Sequence, residues 1–290
     1  MPGIAKLTAL LFCIFPVAGA LAQTTPATTP PPPSYGWKNS LVAGLTLTQV
    51  SFTDWAQGGE NALAYATTLD GKSENDLESE NWTNVYKLAF GQTRLGDQAL
   101  RKTDDIIDLS TVYTLKLNAY VNPYAAATMK TQFAKGFMYP KPDSGVQVSA
   151  FFDPAYLTQS AGAGYQPVKE VKTRIGLALR EVLTSSFNQY TDDPLTKEVE
   201  KSTVDGGLES VTNVDWNLAE NIILSSQLEL FDPFKHLDEL VVRNTTTITG
   251  KVNKYVTAIF GLQVINEKRI SPKTQIKETI ALGLSYALFQ

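Results

Sequence analysis

The sequence is almost empty of the residues that chemistry needs. Of its 290 residues one is cysteine, Cys13, and one is histidine, His236. A lone cysteine allows no internal disulfide, and a lone histidine allows no polyhistidine metal site. No apolar run reaches the ~20 residues of a membrane-spanning helix. A basic excess is missing too, with 25 Lys and Arg against 29 Asp and Glu. That balance offers nothing to neutralise a phosphate backbone, so nucleic acid is excluded as a partner.

The first residues do carry a signal. A basic start ending at Lys6 leads into an apolar run from Leu7 to Val17, and Ala20-Leu21-Ala22 forms an A-x-A cleavage site. This predicts an export signal over residues 1–22, with Gln23 as the mature start. Phe12 stands where a lipid-anchor signal needs a small residue ahead of Cys13. Cleavage removes Lys6, no acid and the only cysteine, so the exported chain carries about −5 and no thiol chemistry. Residues 23–34, QTTPATTPPPPS, contain a run of four prolines that favours an extended, exposed linker. One folded domain, 35–290, follows.

From Trp37 onward the hydrophobic period is two. Ile280, Leu282, Leu284, Tyr286 and Leu288 alternate with Ala281, Gly283, Ser285 and Ala287. Val171, Thr173, Ile175, Leu177 and Leu179 alternate with Lys172, Arg174, Gly176, Ala178 and Arg180, and Ile107 to Leu117 behaves alike. These runs reach the ~9–11 residues a tilted strand needs to cross a bilayer, against about 5–6 in soluble sheets. About twelve strands are predicted, starting near Trp37, Asn61, Asn81, Asp104, Tyr124, Gly145, Gly162, Val204, Asn221, Leu240, Lys254 and Thr274. Short connections at Ala119–Pro123, Asn217–Glu220 and Asn253 alternate with long ones such as Ser185–Thr203 and Asn266–Lys273. Gly71–Glu80 is longer than this rhythm expects, and Asp153–Ala161 is ambiguous.

The expected fold is all-β: a transmembrane antiparallel up-and-down barrel in the outer membrane of a Gram-negative bacterium, with membrane lipid as its partner. A β-sandwich or a lipocalin-like barrel would also alternate. Trp37, Trp82, Tyr120, Trp216, Tyr255 and Phe289 fall at the expected periplasmic strand ends, and Phe52, Phe137, Phe187 and Phe231 at the outer ends.

Several stretches then match a known pattern: Phe52 to Asn61 (FTDWAQGGEN), Trp82, Tyr86 and Gly91, Arg101 to Asp105 (RKTDD), Thr131-Gln132-Phe133 with Gly136, and Phe152 to Tyr156 (FDPAY). The chain resembles a family of uncharacterised Gram-negative outer-membrane β-barrel proteins known as a domain of unknown function. Asp54, Trp55, Gly58, Gly59, Asn61, Asp104 and Asp105 carry the resemblance, which implies a location and no activity.

The faces opposite the apolar ones bring Lys87, Lys116, Lys130, Lys172, Arg174, Arg180, Arg243 and Lys277 into the lumen, with fewer acids: Asp108, Glu209, Asp215 and Glu229. These charges have two readings, structural pairs across the interior or a wet interior with a mild preference for anions, and small residues among them, Ala126, Gly176, Ala178, Ala281, Gly283 and Ser285, leave room inside. The expected role is a passive small-solute channel or a surface-exposed structural or binding protein, with no cofactor, metal or catalytic residue. The alternative is a barrel enzyme with His236 at its rim, oriented by Asp232, Asp238, Glu239, Asp104 or Asp105. Glu74, Asp76, Glu78 and Glu80 lack calcium-loop spacing and read as a solvated acidic turn.

Replacing Ala22 with Arg should stop cleavage, while the wild-type chain should yield Gln23 on N-terminal sequencing. Any other first residue in the exported protein refutes the assigned signal.

Overall fold

The computed structural model describes residues 35–52, 59–141, 144–193, 196–235 and 237–289. The alternating sequence folds into strands β1 (Trp37–Val50), β2 (Ala62–Asp76), β3 (Glu80–Leu95), β4 (Arg101–Leu115), β5 (Val121–Thr131), β6 (Gly136–Lys141) and β7 (Ser144–Ser149). They continue as β8 (Ala155–Val168), β9 (Val171–Leu183), β10 (Ser202–Ala219), β11 (Ile222–Pro233), β12 (Val241–Lys251), β13 (Val256–Asn266) and β14 (Gln275–Phe289). Twelve close an antiparallel barrel in the ring order β1-β14-β13-β12-β11-β10-β9-β8-β5-β4-β3-β2. β6 and β7 form a separate two-stranded hairpin inserted between β5 and β8.

The expected number of twelve holds through two offsetting errors. The strand expected at Gly145 is β7, outside the ring. The single strand expected from Gly162 is two, β8 and β9, joined at Lys169-Glu170. That turn contains no Gly, Asn or Asp, so nothing in its composition breaks the run. Asp153–Ala161 resolves into the start of β8. Gly71–Glu80 is mostly strand, because β2 runs on to Asp76 and only Leu77–Ser79 turns. Polar residues at a barrel's end meet water and need not leave the sheet. The turn at Ala119–Pro123 is local chemistry: Asn118 Oδ1 accepts from the N–H groups of Tyr120 and Val121 at 2.9 and 2.7 Å. Asn253 Oδ1 does the same for Tyr255 and Val256.

Burial is inside out, and this decides against a soluble barrel. Ile280 is 87 % exposed, Leu282 65 % and Leu177 63 %, while Arg180, Asp205, Glu209 and Glu267 are buried. A lipocalin-like barrel would hide the leucines and wet the charges. The fold is that of a transmembrane barrel, with strands of 11 to 18 residues in the ring. Trp37 and Trp82 at the short-turn end pack with ring centroids 5.7 Å apart, and Tyr255 stacks on Tyr286 at 6.4 Å. Both pairs suit an interfacial girdle. The long-loop end differs from expectation. Phe137 lies on the hairpin, and Phe231 is buried in the lumen opposite Glu209. The two-residue period that turns Glu229 inward turns Phe231 inward as well.

Leu284 points outward between Leu45 and Val256, while Ser285 beside it points inward. Leu284→Arg puts a cation on the lipid face two residues from the Tyr255–Tyr286 girdle and should lower the folding yield into vesicles, at a cost below the about 2–4 kcal/mol of a midplane site. Ser285→Arg should be milder; equal folding yields from the two would overturn the facing.

Candidate functional site: the lumen

Register builds the interior from the wall inward. Asp70 on β2 is opposite Lys87 on β3, Lys87 opposite Asp108 on β4, and Asp108 opposite Lys130 on β5. Four neighbouring strands therefore present alternating acid and base in one row. Glu229 reaches from β11, four places round the ring, to pair with Lys130, whose amine also stands 3.7 Å from Asp108. Lys87 Nζ donates at 3.4 Å to Gln227 Oε1 on β11, six places away, and Gln227 donates at 2.7 Å to Glu229. Side chains from opposite walls thus meet across the lumen.

A second tier lies toward the long-loop end. The connection after β13 turns inward and buries Glu267, whose carboxylate takes Arg180 at 2.6 Å and Arg243 at 2.5 Å. Both guanidiniums flank the Tyr156 ring, at 5.3 and 5.0 Å, and Arg180 also lies 5.7 Å from Phe231. Arg269 of the same connection binds Asp205 at 2.5 Å. Two pockets among these groups measure about 20 and 40 Å³, on the scale of a few waters. Burial by itself would raise the Glu267 carboxyl, but Arg243 and Arg180 outweigh it and hold it below the ordinary glutamate value.

The small residues do not leave the room expected of them. Tyr124 lies opposite Gly162, which lies opposite Gly176. A side chain on Gly162 would strike the Ile175 carbonyl oxygen, and one on Gly176 the Ala161 carbonyl oxygen and, at 2.7 Å, the Tyr124 hydroxyl, so the backbones of β8 and β9 close into the space those glycines vacate. Tyr124, Ala126 and Ala178 are all buried.

The basic lean is likewise cancelled. Arg174 stands 3.8 Å from Glu209, Lys116 2.7 Å from Asp76, and Lys277 pairs with Asp104. Lys172 makes no ion pair among the described residues. Of the two readings of the inward charges, pairing is the one that most of these bases follow. Sequence reasoning missed Asp70, Tyr156, Asp205, Gln227, Glu267 and Arg269. Glu267 and Arg269 sit in a connection, where the period-two signal ends.

The motif residues serve loop closure. Asn61 Oδ1 accepts the Phe52 N–H at 2.7 Å. Gly59 has φ +143°, and a side chain there would strike the Phe52 ring. Asp105 takes Lys102 at 2.6 Å and the N–H groups of Phe133 and Ala134 at 2.6 and 2.9 Å, anchoring the base of the hairpin. Asp54, Trp55 and Gly58 lie outside the described residues, as do His236 and residues 1–34. Of the acids proposed to orient His236, Asp238 stands 3.7 Å from Lys268 and Glu239 3.9 Å from Arg269. Glu74 and Asp76 bind Lys72, Lys116 and Asn81, and Glu80 accepts the Tyr113 hydroxyl. Among the described residues no three potential metal ligands cluster.

The chain is a closed twelve-stranded barrel with a polar interior bridged by its own side chains. Residues 47–137 match the family described as Protein of unknown function (DUF3078). That stretch holds the motif from Phe52 to Gly136, while Phe152 to Tyr156 lies beyond it. No curated protein matches. Solved structures similar to the chain include the translocator domain of the autotransporter NalP from Neisseria meningitidis, 11 % identical over 88 % of this chain and 89 % of that one, TM-score 0.40. An outer membrane channel from Pseudomonas putida F1 is 11 % identical over 88 % and 95 %, TM-score 0.40. The NanC porin is 10 % identical over 85 % and 98 %, TM-score 0.39. These likenesses concern barrel architecture alone.

Glu267→Gln leaves two buried guanidiniums facing a neutral amide and should cost on the order of 3–5 kcal/mol in urea unfolding of the reconstituted barrel. Glu239→Gln, at a partly exposed pair, should cost under about 1 kcal/mol. Because the folded pKa of Glu267 is lowered, its contribution is full above the ordinary value of 4.5 and fades only as pH falls below it. Equal losses from the two variants, or fading that begins above pH 4.5, would show that Glu267 is not docked.

Proposed function

We propose that this chain works in the outer membrane of a Gram-negative bacterium as a barrel closed at rest by its own side chains. It serves as a surface-exposed structural or binding protein and performs no catalysis. The observation that carries this reading is the bridging of the lumen, with Lys87 on Gln227 and Lys130 on Glu229 in one tier and Glu267 between Arg180 and Arg243 in the other. The exposed apolar wall supports the membrane, with lipid as the constant partner. Residues 1–22 direct export and are removed, and 23–34 extend into the periplasm as a proline-stiffened arm.

A second reading, a gated small-solute channel, is favoured by one feature. The connection that carries Glu267 and Arg269 is held by ion pairs, contacts that a single substitution releases.

In planar bilayers at neutral pH the purified folded protein should pass no steady current. Open channels in the wild-type protein would overturn the closed-lumen reading. Silence in the wild type with steady conductance in Glu267→Ala would instead establish the gated channel.

A further inference from the structure

Alternation assigns three residues at the long-loop end to the outside of the wall. Asp104 turns inward to Lys277, so Asp105 beside it turns outward. Lys130 turns inward to Glu229, so Thr131 turns outward. Tyr156 turns inward between Arg180 and Arg243, so Ala155 turns outward. Outward residues such as Leu177 and Leu282 are open to lipid. These three are not: the Asp105 side chain is 3 % exposed, Thr131 7 % and Ala155 0 %. The chain itself covers the wall here. Asp105 takes the N–H groups of Phe133 and Ala134, and the Thr131 hydroxyl donates to the Pro154 carbonyl at 3.0 Å. The base of the β6–β7 hairpin and the turn that follows it therefore lie on the outer side of β4, β5 and β8.

The surface of this overlay is aromatic. Ala150 and Asp153 exchange both backbone hydrogen bonds, at 2.9 and 3.2 Å, which makes Phe151-Phe152 a two-residue turn. Turns of this length usually take Gly, Asn or Asp, because they need a positive φ. Phe152 supplies it instead, at φ +56°, and its N–H is held by the Gln132 carbonyl at 3.2 Å. The two rings are 66 % and 38 % exposed, with centroids 6.2 Å apart. Phe133 at the base of the hairpin and Phe137, Met138 and Val146 within it are exposed as well. An apolar turn held in a strained conformation is a liability in water and an anchor at a membrane interface.

The charge beside these rings is positive. Lys135 and Lys141 are exposed and make no ion pair among the described residues. Arg101 of β4 stands over the Tyr139 ring at 4.2 Å. Asp105 and Asp153 are turned to the protein: Asp105 binds Lys102 at 2.6 Å, and Asp153 takes the N–H groups of Ser185 and Ser186 at 3.0 and 2.7 Å. Asp143 lies outside the described residues. Glu181 faces outward on β9, by alternation with Arg180, so the positive side of the overlay is the one toward β4. Rings at the height of the head groups with ammonium groups beside them fit a lipid whose head carries anionic phosphate. A soluble partner would have to displace the lipid that this side of the wall already faces.

We propose that the β6–β7 hairpin and the Phe151-Phe152 turn dock on phosphorylated lipid of the outer leaflet. Lys135 and Lys141 meet the phosphates, and Phe151 and Phe152 enter among the first acyl carbons. The docking rests on the outer-membrane reading above and adds to it a preferred lipid.

The test uses the full chain, purified and folded in zwitterionic detergent, and titrated with fluorescently labelled lipid A or its dephosphorylated form. Wild-type protein should bind lipid A roughly tenfold more tightly than the dephosphorylated form. Lys135→Gln with Lys141→Gln should remove most of that difference. Phe152→Gly suits the positive φ, so it should weaken lipid A binding about fivefold while the urea midpoint stays or rises. Undiminished preference in the double lysine variant overturns the docking. So does wild-type affinity in Phe152→Gly, or a loss of affinity that comes with a lowered midpoint, which would mark the ring as packing. A folded wild type with equal affinity for both lipids also overturns it, and leaves the membrane reading standing. A wild-type chain that will not fold in detergent or vesicles would reject the membrane reading instead.

Discussion

Hydrocarbon offers no hydrogen bonds, and the rest of this structure follows from meeting that condition. A sheet facing lipid must return to its own first strand, so that its N–H and C=O groups find partners within the wall. Twelve strands long enough to cross a bilayer do so here, with the chain's described ends at the same end of the barrel. The requirement also inverts the sorting of side chains. Leucine and isoleucine go outward to lipid, and the charged residues have only the lumen left to occupy.

Once inside, those charges answer to a second condition. A buried ion needs a counter-ion and hydrogen bonds to offset its lost hydration. The lumen meets this by register on one side, where acid and base alternate from β2 to β5. It meets it by reach on the other, where Glu229 and Glu267 pair with bases several strands away. Such pairs add little net stability over an apolar filling of equal shape. Removing one member is costly all the same. Their main structural effect is to fix which side chains meet, and the meeting closes the passage.

How much of this was legible depended on range. The two-residue period exposed the barrel, the facing of Ile280 to Leu288, and the inward set around Arg174 and Arg180. A turn made of Lys169-Glu170 was invisible because it uses no turn residues, and β7 alternated well enough to pass for a wall strand. The cross-lumen contacts were out of reach for a different reason. Which side chains meet across from β11 depends on the stagger between distant strands and on side-chain reach, and the two-residue period carries neither. The backbones of β8 and β9 closing over Gly162 and Gly176 are the same kind of failure, since a glycine's vacancy is visible in the sequence and its occupant is not.

The row Asp70, Lys87, Asp108, Lys130 also sets what a passing ion can feel. Two minus and two plus charges in alternation have no net monopole, and neighbouring strands lie only ~4.8 Å apart. The potential of such a stripe cancels over a distance comparable to its own spacing, instead of extending along the barrel axis. Reversing all four signs together would leave that short-ranged pattern equally neutral. The inner wall is thus strongly polar at contact and nearly blind at a distance, so long-range attraction by sign gains little from this stripe.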